Sequence, residues 1–113
     1  MMNYKMVKKK LLRVFITEAD KERGKPLYYA IIDLCREKGL SGATVIKGVA
    51  GYGLHKVVHT DKILRLSGDL PLIVEVIGEE EKMAVLIPAL GDIVSEGLIA
   101  VEDIDVVAFD GKS

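Results

Sequence analysis

Leu12, Val14 and Ile16 alternate with Arg13, Phe15 and Thr17, so Lys10 to Thr17 reads as a strand with one apolar face. The polar run EADKERGK follows, and then the period changes. Leu27, Ala30, Ile31, Leu34 and Cys35 recur at helical spacing. Pro26 suits the first turn of that helix, where a missing N–H costs nothing, and Gly39 suits its end. Ala43 to Val49 alternates as a second strand, and LPLIVEVI, Leu70 to Ile77, reads as a third. Pro71 lies near the start of that strand, where a ladder donor is least missed. GEEEK places acids at a helix N-terminus, where the dipole favours them, and Met83, Leu86, Ile87, Leu90, Ile93 and Val94 form the stripe that follows. Pro88 should kink or divide this helix, and Gly97 should end it. Leu98 to Phe109 supplies a last strand, with an interruption expected at EDID. Residues 1–9 read as a disordered basic lead-in and 110–113 as a disordered tail.

The order β-α-β-β-α-β predicts an α+β, ferredoxin-like fold over a single domain, residues 10–109. Its antiparallel four-stranded sheet would carry two helices on one face, leaving Phe15, Ile73 and Ile77 on the other. The connection from 51 to 69 is long for a compact domain, and such loops tend to be functional. Val57, Val58, Ile63, Leu64 and Leu66 suggest an extended hairpin within it.

Composition narrows the function classes. Half of the 113 residues are hydrophobic, and with two Phe and no Trp the core must be Val, Ile and Leu. Sixteen basic residues against 17 acidic ones leave a net charge of −1, which gives no general attraction to nucleic acid or membrane. A charged fraction of 29% beside high aliphatic content fits a thermophile. Cys35 is the single cysteine and reads as a buried thiol in a helix. The N-terminal stretch has no apolar run before Leu11, so neither a signal peptide nor direct membrane insertion is expected, and the cytoplasm is the expected location.

Candidate chemistry concentrates in GATVIKGVAGYGLHKVVH, Gly42 to His59. Glycines there free the backbone at the end of a strand, and turn amides without a Cβ nearby make an anion-binding nest. His55 and His59 lack a third ligand for a metal, so none is expected. GKS at the end imitates part of a P-loop but has no upstream glycine and no helix after it. AGYGLHKV is similar to the aromatic stretch of RNA-recognition motifs, yet it follows the second strand, while the third strand has no aromatic residue. IKGVAGYG faintly resembles the phosphate loop of acylphosphatases, again after the wrong strand and without the clamping arginine. An RNA-recognition-type or ligand-free interaction module, and a small acylphosphatase-like or other phosphate-handling enzyme, are therefore the alternative readings. No catalytic constellation is evident.

GATVIKGVAGYG, the basic and apolar loop after it, and LPLIVEVI together resemble the PII signal-transduction proteins. The resemblance is closer to a family of uncharacterised PII-like proteins, in which GKPLY, GATVIKGVAGYG, HTDKILRLSGDLP and GLIAVEDI look like recurrent blocks. It covers residues 10 to 109. The resemblance implies a homotrimer, an adenine nucleotide bound in clefts between subunits, and no covalent cofactor. It also implies a long loop that relays ligand state to a protein partner such as a membrane transporter or channel. Carried over, Thr44 and the base residues Gly51, Tyr52 and Gly53 would meet the nucleotide, with Gly97 and Leu98 in the loop before the last strand. Lys47, His55, Lys56 and Arg65 are the cations nearest to that site in sequence. Leu54, His55 and Lys56 stand where PII proteins have an arginine and a glutamine, and VSEGLIAVED has acids where they have a phosphate-binding lysine. The last strand also lacks their paired arginines, so a nucleotide with fewer phosphates, or a different anion, is the better fit.

Overall fold

Strand β1 runs from Tyr4 to Thr17, six residues earlier than the sequence pattern places its start. The structure, a computed structural model, describes residues 3–53 and 70–110. After β1 come a small hairpin, β2 (Lys21–Glu22) and β3 (Lys25–Pro26), then helix α1 (Leu27–Glu37) and strand β4 (Thr44–Lys47). Strand β5 (Pro71–Gly78), helix α2 (Glu80–Ile93) and strand β6 (Leu98–Phe109) complete the order. The main sheet is antiparallel with order β4-β5-β1-β6, the ferredoxin-like arrangement expected from the element order.

Two expectations are corrected together. The stretch 1–9 is strand from Tyr4 onward, and β6 is unbroken through EDID. Each looked irregular alone because each carries charges at apolar-looking positions. In register they are partners: Lys8 lies opposite Asp105 and Lys10 opposite Asp103, and both pairs form ion pairs. Tyr4 and Phe109 close the far end edge-to-face, with ring centroids 6.5 Å apart. Residues 111–113 and the loop residues 54–69 lie outside the described residues, as does the hairpin expected within that loop.

Leu12, Val14 and Ile16 of β1 and Leu72, Val74 and Val76 of β5 are buried against Leu27, Ile31 and Cys35 of α1 and Met83, Leu86 and Leu90 of α2. Removing a fully buried leucine such as Leu86 would cost about 2–5 kcal/mol. Pro88 lies on the exposed side of α2 and does not divide it, because the buried stripe holds both of its halves. The helix stops at Ile93 rather than continuing to Gly97. At the end of α1, Gly39 takes φ +84° and Leu40 N–H donates to the Cys35 carbonyl, a Schellman-type stop. Pro26 caps α1 rather than entering its first turn. The run EADKERGK, read as a plain connection, holds the β2–β3 hairpin, whose turn puts Arg23 (φ +52°) and Gly24 (φ +83°) in left-handed conformations.

Candidate functional site

Strand β4 ends at Lys47, two residues before the expected limit, and Gly48 N–H donates 2.8 Å to the Pro71 carbonyl as the last rung against β5. The chain then turns tightly over that proline. A Cβ on Gly48 would fall 2.7 Å from Pro71 Cγ, and one on Gly51 would fall 3.1 Å from the same atom. A side chain at Gly48 would therefore force Pro71 to shift, and one at Gly51 would fit only if Pro71 gives by a few tenths of an ångström. Gly53 takes φ +100° with open space around it, a conformation glycine adopts at little cost. Between them Tyr52 is 96% exposed, its ring unpacked by any described neighbour.

Tyr52 and Gly53 line a cleft of about 690 Å³ whose other wall is Ser95, Glu96, Gly97 and Leu98, the passage from α2 into β6, with Phe15 of β1 at its side. Sequence reasoning named four of these residues from two stretches more than forty positions apart, and the fold brings them together. It did not name Phe15, Ser95 or Glu96. Phe15 was assigned only to the uncovered sheet face, and nothing local in the sequence says that this face runs into the cleft. Gly97 takes φ +141°, and a Cβ there would meet the Phe15 carbonyl oxygen at 2.6 Å. No lysine or arginine lines the cleft among the described residues, and its one charged group is Glu96.

The other expected site residues are placed differently. Thr44 lines a separate cleft of about 630 Å³ between the start of β4 and the end of β5, beside Glu75, Glu79, Lys9 and Lys82. The Lys47 ammonium is held 2.8 Å from a Glu18 carboxylate oxygen, and Glu18 N–H donates to the Leu70 carbonyl. Lys47 therefore ties the end of β4 to the end of β1 and does not line either cleft. His55, Lys56 and Arg65 lie outside the described residues. Among the described residues no group of three His, Cys, Asp or Glu side chains is arranged to hold a metal ion, and no helix is long and apolar enough to cross a membrane.

The sheet face away from the helices carries an ionic cluster. Arg13 Nε donates to Glu75 at 2.9 Å and its Nη1 donates to Glu102 at 2.6 Å, and these hydrogen bonds, Glu102 first, raise the arginine pKa above its usual value. Cys35, on the buried face of α1, has its thiol pushed up to about 11 by desolvation.

Comparison with known proteins agrees with this architecture. The chain is 41% identical over 103 residues to a UPF0166 protein of Aquifex aeolicus, covering 91% of this chain and 97% of that protein. CPII, a nitrogen regulatory PII-like protein from Thiomonas intermedia K12, superposes in its apo form with a TM-score of 0.66 at 19% identity, over 94% of this chain and 99% of that one. The structure of CPII bound to ADP and bicarbonate gives a TM-score of 0.66 at 23% identity, over 90% and 91% of the two chains. Residues 9–106 match the model of the DUF190 family, described as "Uncharacterized ACR, COG1993". The chain belongs to that family, and its fold is the ferredoxin-like fold of the PII-like proteins.

Proposed function

We propose that this protein is a PII-like regulatory protein that binds an adenine nucleotide with one or two phosphates in the cleft between Tyr52–Gly53 and Ser95–Leu98. The observation that carries this reading is the meeting of those two stretches around a cleft of about 690 Å³, within the roughly 300–1,000 Å³ range of small-molecule sites. The exposed Tyr52 ring offers a stacking surface for a base, and the left-handed Gly53 leaves its backbone open to a phosphate. CPII, which shares the fold, is described in complex with ADP and bicarbonate and with ADP, AMP and bicarbonate.

The charge pattern sets the phosphate count. No lysine or arginine stands in the described lining, so a triphosphate would find little countercharge there. Countercharge must come from His55, Lys56 or Arg65, which follow Gly53 in sequence, or from another copy in a homotrimer. Lys47 joins only by leaving Glu18, which makes that ion pair a competitor for the ligand. Thr44 reaches the nucleotide only if its cleft is brought against that of a neighbouring copy.

The role is regulation in the cytoplasm rather than catalysis. The connection 51–69 begins at the cleft, so ligand and loop share Tyr52 and Gly53, and a bound nucleotide biases the loop conformations offered to a partner such as a transporter or channel. Titration of the protein with ATP, ADP, AMP and cyclic AMP tests the reading. Preference for ADP or AMP over ATP is expected, and preference for ATP would overturn the charge argument.

A further inference from the structure

Glu18 follows the last residue of β1 and makes two contacts where the chain passes from β4 to β5. Its N–H donates to the Leu70 carbonyl at 3.0 Å, and its carboxylate lies 2.8 Å from the Lys47 ammonium. Lys47 is the last residue of β4, and Leu70 immediately precedes β5. One residue therefore holds both the point where the chain leaves the sheet and the point where it returns. The ion pair also joins strands that are not neighbours, because β5 lies between β4 and β1. Lys47 lies opposite Leu72, and Leu72 opposite Ile16, so these three share the face turned to the helices. The Glu18–Lys47 pair thus bridges over β5 on that face.

The two walls of the proposed ligand cleft belong to the same two parts of the sheet. Tyr52 and Gly53 arrive from the end of β4, by the turn that passes over Pro71. Phe15 belongs to β1, Leu98 pairs with it from β6, and Gly97 packs on the Phe15 carbonyl. The separation of the walls therefore depends on how the end of β4 is held relative to the end of β1. We propose that Glu18 is a positioning residue for this cleft: by tying Lys47 to the end of β1, it holds the Tyr52 turn against the Phe15–Gly97 wall. Glu18 does not line the cleft and acts through the strand ends alone. The role rests on the ligand cleft of the proposed function and adds what sets its width. With side chains 26% and 56% exposed, Glu18 and Lys47 are partly shielded from solvent, which spares their attraction some of the usual screening. The competing possibility makes the opposite prediction. If Glu18 only kept Lys47 away from the ligand, removing its carboxylate would free a cation and tighten binding.

Glu18→Ala, Lys47→Ala, the double variant and the charge exchange Glu18→Lys/Lys47→Glu test this role by two readouts. Glu18→Ala keeps the backbone N–H that bonds to Leu70, so only the side-chain tie is lost. The first readout needs no ligand: amide hydrogen exchange of Gly48, whose N–H donates to the Pro71 carbonyl at the start of the turn. Each single variant should speed this exchange by roughly two- to fivefold, the effect of a partly exposed ion pair, and the double variant should add little more. The charge exchange should restore slow exchange. The second readout is calorimetric titration with ADP, whose affinity should fall by a similar factor in both single variants and recover in the charge exchange. Unchanged Gly48 exchange in Glu18→Ala overturns the role. Unchanged or tighter ADP binding in that variant overturns it as well. Should the unmodified protein bind no ADP, the ligand reading fails, and Gly48 exchange alone still decides whether Glu18 holds the turn.

Discussion

A Cβ on Gly97 would lie 2.6 Å from the carbonyl oxygen of Phe15, at a backbone φ of +141°. Both facts demand glycine there for folding, before any ligand is considered. Gly97→Ala should therefore destabilise the protein by about 1–3 kcal/mol, read from urea unfolding without ligand. An unchanged midpoint would mean that the β6 entry relaxes freely. Any loss of binding in this variant has to be separated from its loss of stability.

Gly48 makes a second close approach, to Pro71, and it can be tested by relief. Gly48→Ala should cost about 1–3 kcal/mol, because its Cβ would fall 2.7 Å from Pro71 Cγ. Adding Pro71→Ala removes the obstacle, so the double variant should be more stable than the sum of the singles by at least about 0.5 kcal/mol. Additive effects would place the strain elsewhere.

The cross-strand pairing of β1 and β6 predicts a pH signature. Hydrogen bonding from Lys10, aided by its charge, lowers the Asp103 pKa below the usual value of 3.8. A depressed folded-state value means that the contribution is present above the unfolded pKa and lost as pH falls through the folded one. Asp103→Asn should therefore flatten the fall of stability with acid below about pH 4, measured as urea midpoints from neutral to acid pH. An unaltered acid limb would show that the pair is not formed in solution.

Cys35 gives a test of the core. With its thiol buried and pushed up to about 11, it stays protonated at neutral pH and beyond reagent. A thiol reagent at pH 8 should label the native protein only on the timescale of unfolding and label the denatured protein at once. Immediate native labelling would mean that α1 does not pack as described.

The local periods made much of this fold legible. The alternation of Leu12, Val14 and Ile16 and the helical spacing of Leu27, Ile31 and Cys35 identify the buried faces that the structure has. What escaped reading was long-range. Lys8 looked like part of a loose basic lead-in, and Asp103 and Asp105 like a break, because the pairing that reconciles them spans about ninety residues. In the site, Tyr52, Gly53, Gly97 and Leu98 were named from resemblance and share a cleft, whereas Thr44 and Lys47 do not line it. The alternation of β4 gives the face of each residue but cannot reveal that Glu18 waits for Lys47 at the end of another strand.

The central claim is a nucleotide held against Tyr52, and calorimetric titration with ADP of the unmodified protein and of Tyr52→Ala tests it most directly. Tyr52 is almost fully exposed, so its removal leaves the fold intact. Saturable binding should weaken by roughly 5- to 150-fold in the variant, the equivalent of about 1–3 kcal/mol of base stacking. No saturable binding by millimolar ADP, or equal affinity in both proteins, would contradict the account.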